Sequence, residues 1–238
     1  MLEVNRIYHG DCLEVMKDID DKSVDCIICD PPYEINYDNN DWDKFFDIEK
    51  AIEECSRIIK ENGNIIIFQG WSNVCKTKEI MDKYWNIQNW IIWDRIKGRG
   101  ALHNFTSTRE DILWYCNGDK PTFNKMFSNI KKITSGFRNN GQENRSLSNV
   151  WYDISPIVAW GKEKVNHPTQ KPIELIERII KVFSDKNEVI LDFCSGSGTT
   201  AIACYNTKRN FICIEKDKTY YDLSVERYNN AKAQLRLF

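Results

Sequence analysis

The chain has 238 residues and a formal net charge of −2; 42% of the residues are hydrophobic and 12% aromatic. This excludes a disordered chain, which is poor in aromatics, and supplies enough apolar material for one substantial core with a smaller lobe attached. No apolar run approaches the roughly 18 residues of a membrane span, and residues 1–6 lack the charged-then-apolar form of a signal peptide, so the expectation is a cytoplasmic protein with no membrane partner.

In chain order, residues 5–9 read as a short strand that runs into Gly10-Asp11. A second strand, 24–29, ends at Asp30-Pro31-Pro32-Tyr33. It contains Cys26 and Cys29 in a C-x-x-C spacing. Residues three apart on a strand face opposite sides, and no second pair completes a zinc site, so both are read as core. The nine cysteines are odd in number and scattered, which argues against a disulfide framework. His9, His103 and His167 have no metal-ligand spacing, so no metal is expected.

A helix follows, with the apolar stripe Ile48, Ala51, Ile52, Cys55, Ile58 and Ile59, and Gly63 is placed to cap it. Residues 64–68 form a continuous apolar strand of the kind buried on both faces. A helix is expected at 73–84 and strands at 87–93 and 112–116. From 117 to 164 the periodicity dissolves into polar residues with isolated aromatics; so long a stretch inside a domain is usually functional or a small lobe. Order returns at Pro172, suited to the first turn of a helix with the stripe Ile173, Ile176, Ile179, Ile180 and Phe183. A strand at 189–191 enters Asp192-Phe193-Cys194-Ser195-Gly196-Ser197-Gly198. A helix starts at Thr199, a strand at 211–214 ends at Glu215, and a last helix begins near Lys218.

Strands alternating with helices predict an α/β fold: a doubly wound, mostly parallel, Rossmann-like sheet covered on both sides. Ligands bind such sheets beyond the carboxyl ends of the strands. Asp11, Asp30, Asp192 and Glu215 each end a predicted strand, so the four acids should line one edge.

The glycine turn, Gly196-x-Gly198, lets the backbone approach a ligand and exposes helix N-terminal amides. Glu215 ends the next strand and is placed to accept both hydroxyls of a ribose. Together they indicate an adenosine-containing cofactor. Asp30 to Tyr33 is more specific. Two prolines fix the backbone and remove amide donors, leaving the Asp30 carboxylate and the Pro31 carbonyl as acceptors. An exocyclic base amine offers two N–H donors to such a pair, and Tyr33 offers a face for a planar base. A base inside a duplex cannot reach that pocket without being flipped out.

These motifs, with His167-Pro168-Thr169-Gln170-Lys171-Pro172, resemble the amino-methyltransferases of bacterial restriction–modification systems. Their order, D-P-P-Y first and the glycine motif last, resembles the beta class. The resemblance implies a seven-stranded methyltransferase sheet built from 1–116 and 165–238, with a target-recognition region inserted at 117–164. It implies S-adenosylmethionine as cofactor and double-stranded DNA as partner, and admits a cognate restriction endonuclease and a homodimer. Residue by residue, Asp30, Pro31, Pro32 and Tyr33 would hold the target base. Phe193, Ser195, Gly196 and Gly198 would surround the methionine part of the cofactor, with Asp192 nearby, and Asp30, Ser197 and Thr199 are further expected cofactor contacts. Glu215 would take the ribose, and Asp11 beside Cys12 the adenine. His167, Thr169, Gln170 and Lys171 would close over the cofactor, and Trp42-Asp43 resembles the mobile loop that follows D-P-P-Y. One departure is Asp192-Phe193 in place of the family's D-P-F, which leaves the contact of Cys194 open.

The activity implied is site-specific methylation of adenine N6. The alternatives are cytosine N4, which offers the same amine geometry; a nucleotide-dependent dehydrogenase, which leaves Asp30 to Tyr33 unexplained; and a catalytically silent DNA-binding module. Between Trp93 and Arg145 there are ten basic and five acidic residues, a local footprint for a polyanion in a slightly acidic chain. Lys131 and Lys132 are the expected phosphate contacts, and Arg99 and Arg138, each with a glycine nearby, the expected readers of base edges.

Overall fold

The computed structural model describes residues 2–33, 46–99, 102–103, 105–131, 144–158, 160–161 and 163–235, apart from the side chains of 97–99, 129–131 and 235. Trp42-Asp43, Lys132 and Arg138 lie outside the described residues, as do the side chains of Arg99 and Lys131.

The strands are β1 (Arg6–His9), β2 (Val24–Cys29), β3 (Ile59–Gln69), β4 (Asn86–Arg99), β5 (Ser107–Cys116), β6 (Phe127–Lys131), β7 (Asn144–Ser146), β8 (Val150–Trp151), β9 (Val189–Asp192) and β10 (Asn210–Glu215). The helices are α1 (Cys12–Val15), α2 (Ile48–Ile58), α3 (Val74–Met81), α4 (Ile173–Phe183), α5 (Thr199–Thr207) and α6 (Lys218–Leu235). Among the described residues the main sheet has the order β1-β10-β9-β2-β3-β5-β4-β8. The first five strands are mutually parallel; β5 runs antiparallel to β3 and to β4. This is the expected doubly wound sheet of seven strands, extended at its edge by the two-residue β8, parallel to β4.

Alternation along the central strands divides the core. Cys26, Ile28, Ile66 and Phe68 pack with α4 and α5 on one face; Ile27, Cys29, Ile65 and Ile67 pack with α2 on the other. The two cysteines of the C-x-x-C therefore point to opposite layers, both buried and free. Helix α2 buries Ala51, Ile52, Cys55 and Ile58, and the Asp47 carboxylate caps it by accepting from the Lys50 amide at 3.1 Å. It ends before the expected cap. Gly63 lies inside β3, where an added Cβ would sit 2.7 Å from the Ile59 side chain and 2.9 Å from the Asp25 carbonyl. Glycine is required there by close packing against β2 rather than by helix termination.

Packing does not divide at 116/117 and 164/165. Phe123 stacks on Trp114, the Asn124 amide donates to the Val182 carbonyl, and Trp151 and Ile154 are buried in the core under α4. Arg178 of α4 and Asp153 form a bidentate pair at 2.7 and 2.8 Å, both buried, with Arg178 lying over the Trp151 ring. Much of the segment thus belongs to the main core, while among the described residues β6 and β7 form a separate two-stranded sheet. No helix among the described residues is long and apolar enough to cross a membrane.

Candidate active site

Gly10-Asp11 follows β1, Asp30 follows β2, Asp192 ends β9 and Glu215 ends β10, on four adjacent parallel strands. The sheet therefore brings Asp11, Asp30, Asp192 and Glu215 to one edge, where all four line a single cavity of about 1110 Å³. That is room for two ligands of nucleotide size in adjoining halves.

One half is built on the glycine turn. Gly196 has φ 49, and a Cβ there would lie 2.8 Å from His167 Nε2, so only glycine fits between the turn and the 163–171 loop. Glu215 Oε2 accepts the Gly196 amide at 2.7 Å, and Oε1 accepts the Asp217 amide at 2.8 Å. Burial raises the Glu215 pKa, while those amides oppose the shift. Asp192 is buried; it accepts the Cys194 amide at 3.1 Å and the Thr200 hydroxyl. Burial pushes its carboxyl up to about 7, against those hydrogen bonds. Asp11 caps α1 through the Leu13 amide at 3.0 Å and pairs with Lys216 at 2.8 Å, which holds its carboxyl low. Phe193 stacks on Phe46 at 6.3 Å. The Cys194 thiol meets those of Cys12 and Cys29, which settles its neighbourhood.

Two polar atoms of this half, Ser195 Oγ and His167 Nδ1, are buried without a protein hydrogen-bond partner. Groups this costly to leave unmade point to a bound ligand. Burial holds the His167 imidazole down to about 4, hence neutral. Its ring meets Tyr220 edge-on at 4.4 Å.

Other expected cofactor residues serve differently. Gly198 does not line the cavity; it precedes α5 at φ 76, and a Cβ would strike Ser224 of α6 at 2.8 Å. Gln170 lines the cavity, but its side chain braces the loop, accepting from the Val165 amide at 3.0 Å and donating to the Glu163 carbonyl at 2.8 Å. Thr199 donates to the Lys171 carbonyl at 3.3 Å, and Arg227 donates to the Ser197 carbonyl at 2.5 Å, tying turn, loop and α6 together. Cys12 and Thr169 line the cavity.

The other half surrounds Asp30-Pro31-Pro32-Tyr33. The Tyr33 hydroxyl donates to Asp30 Oδ1 at 2.6 Å, and the Tyr33 carbonyl accepts from the Asn73 side chain. Lys171, assigned from sequence to the cofactor, instead reaches Asp30. Its buried ammonium donates to Asp30 Oδ2 and lies 3.1 Å from Glu110 Oε2, over the ring of Phe68 at 5.3 Å. Burial alone would lower its pKa, but the two carboxylates outweigh it and raise it, keeping the amine charged. Glu110 also pairs with Arg95 at 3.2 Å.

Sequence reasoning missed Glu110, Arg95, Arg109 and Trp71, all of which line this half. Trp71, 64% exposed, directly follows the turn at Gly70 that closes β3. Its position after a predicted strand end was the available signal. Glu110 gave none, because β5 was expected to begin only at residue 112.

A family model described as DNA methylase matches residues 24–226. The type II methyltransferase M.HpaI of Haemophilus parainfluenzae is 30% identical over 238 residues, spanning 94% of this chain and 74% of its own. The DNA adenine methyltransferase YhdJ of Escherichia coli strain K12 is 32% identical over 248 residues, spanning 96% and 84%. Among solved structures, the M1.HpyAVI–SAM complex superposes with a TM-score of 0.66 at 27% identity, covering 93% of this chain and 98% of that one. The chain belongs to the DNA methylase family and is a DNA methyltransferase.

Proposed function

We propose that this protein transfers a methyl group from S-adenosylmethionine to N6 of adenine in double-stranded DNA. The observation that supports the reading is that Asp30 and Pro31, an acceptor pair followed by a proline with no amide to donate, line the same cavity as Gly196 and Glu215.

The cofactor half suits an adenosine with a charged tail. Gly196 admits close backbone approach, Ser195 Oγ and His167 Nδ1 are buried and unpartnered, and Glu215 and Asp11 provide acceptors. S-adenosylmethionine supplies an already activated methyl group when bound. The protein's task is then positioning and charge. Asp30 accepts one N–H of the target amine and the Pro31 carbonyl the other, which aims the nitrogen lone pair. The Asp30 carboxylate relieves positive charge developing on that nitrogen, and Lys171 and Tyr33 hold the carboxylate in place. Tyr33 and Trp71 offer aromatic faces to the flipped base. Residues 117–164 supply the recognition region, with Lys131, Lys132 and Arg138 inside it and Arg99 at the end of β4 as the DNA contacts; a cognate endonuclease and a second subunit are partners the same reading admits.

The test is radiolabelled methyl transfer to unmodified DNA followed by nucleoside mass spectrometry. N6-methyladenine is expected; N4-methylcytosine would move the target to the other amine. Asp30→Ala should abolish transfer while S-adenosylmethionine affinity stays within about tenfold. Turnover retained in that variant would sink the mechanism.

A further inference from the structure

We propose that the tip of the β4–β5 hairpin, through Leu102 and Phe105, is a wedge that enters duplex DNA beside the target nucleotide and fills the space left by the extruded base. The proposal rests on the base-extrusion reading above.

The sheet register places the hairpin. β3 ends at Gln69, opposite Asp111 of β5, so residues 107–110 and their partners on β4 overhang the sheet edge by about 13 Å. The overhang is on the side of the cavity, since Arg95, Ser107, Arg109 and Glu110 line its target half. Phe105 is two residues beyond Ser107 and therefore within about 7 Å of it. The register of β4 against β5 also shifts between Asp94 and Arg99, with Ile96 at φ 63 and its amide held by Asp94 Oδ1 at 2.8 Å, so regular pairing is broken just before the hairpin end.

At this end the chain exposes large apolar side chains: Leu102 is 96% exposed and Phe105 93%. Arg95, Lys97, Arg99 and Arg109 flank them in sequence, a composition suited to phosphates on either side of an apolar insertion. Extruding a base leaves its neighbours unstacked, and apolar side chains inserted at such a step replace the lost stacking. The hairpin end beside the target half of the cavity thus carries the chemistry that stabilises an extruded base.

The experiment uses the full chain and an oligonucleotide duplex bearing the methylated sequence, identified by sequencing modified DNA. Leu102→Ala, Phe105→Ala and the double variant are compared with wild type on two substrates: one with the target adenine paired, the other with it opposite an abasic site. The double variant should methylate the paired duplex about 10–100-fold more slowly, because it bears the unstacking cost alone, and the abasic substrate within about threefold of wild type. With 2-aminopurine at the target position, fluorescence should rise on binding wild type and not the double variant. No rise with wild type would defeat the extrusion reading itself. A wild-type rise that persists in the double variant, or an equal loss of rate on both substrates, would overturn the wedge. An equal loss accompanied by a change in oligomeric mass would make the tip a subunit contact instead.

Discussion

The ammonium of Lys171 and the carboxylate of Asp30 form a buried ion pair across 141 positions of sequence, with Glu110 as second counter-charge. The pair joins the loop before α4 to the turn after β2, and so links the 163–171 loop, which packs against the glycine turn, to the carboxylate proposed to accept the target amine. Removing the cation would leave the part-buried Asp30 carboxylate without its counter-charge and beside Glu110, which would keep only Arg95.

Lys171→Met should therefore cost about 3–5 kcal/mol of stability, the usual penalty for breaking a buried pair by removing one partner. Adding Glu110→Gln should return part of that cost, since it removes one of the stranded charges. Denaturant unfolding of the two single variants and the double variant measures the coupling. Strictly additive losses would mean that the three groups do not act as a unit.

The two glycines of the turn separate by function. Gly196→Ala places a methyl against His167 Nε2 at a left-handed φ, so it should weaken cofactor binding by at least tenfold. Gly198→Ala, equally strained, presses on Ser224 of α6 and should lower stability by about 1–3 kcal/mol with a smaller change in cofactor affinity. Calorimetric titration and thermal melts of both variants give the comparison; equal loss of affinity would place both glycines at the ligand.

The parallel strands and the four acids at their ends were legible because each depends on local pattern: a short apolar run, then a carboxylate. The same is true of α2 and α4, whose stripes name their buried faces. What was not legible depends on long-range pairing. Glu110 lies on a stretch of β5 that overhangs β3, so its environment on one side is β4 and on the other the cavity, and no periodicity marks it. Gly63 and Gly198 carry the composition of a cap and of a ligand turn, yet each is fixed by a neighbour distant in sequence: Asp25 of β2 for the former, Ser224 of α6 for the latter. Residues 150–154 look irregular because β8 is only two residues long; the buried Arg178–Asp153 pair fastens them to α4.

Glu215 now has two tasks, since its oxygens already hold the amides of Gly196 and Asp217. Glu215→Ala should weaken S-adenosylmethionine binding by about 1–3 kcal/mol through loss of ribose hydrogen bonds, and should also loosen the glycine turn. Glu215→Gln keeps one acceptor oxygen and should fall between the two. Calorimetry that finds unchanged affinity in the alanine variant would place the ribose elsewhere.

Asp192 and His167 face the same cavity, and their titrations pull stability in opposite directions. The Asp192 carboxyl is raised by burial from its ordinary 3.8 to about 7, so the folded state holds a proton that the unfolded state releases. Its contribution is present below pH 3.8 and is lost as pH rises through 7, at most about 4 kcal/mol over that window. His167 is depressed by burial from 6.5 to about 4, so the unfolded state binds a proton that the folded state refuses. Its contribution is present above pH 6.5 and is lost as pH falls through 4, about 3 kcal/mol at most. Asp192→Asn should flatten the decline in stability between pH 4 and 7, and His167→Gln should remove an opposing fall between pH 6.5 and 4. Unfolding free energies across this range, measured for wild type and both variants, would show the two slopes separately. Parallel curves for Asp192→Asn and wild type would mean that the carboxyl titrates normally, and that the hydrogen bonds from Thr200 and Cys194 fully offset its burial.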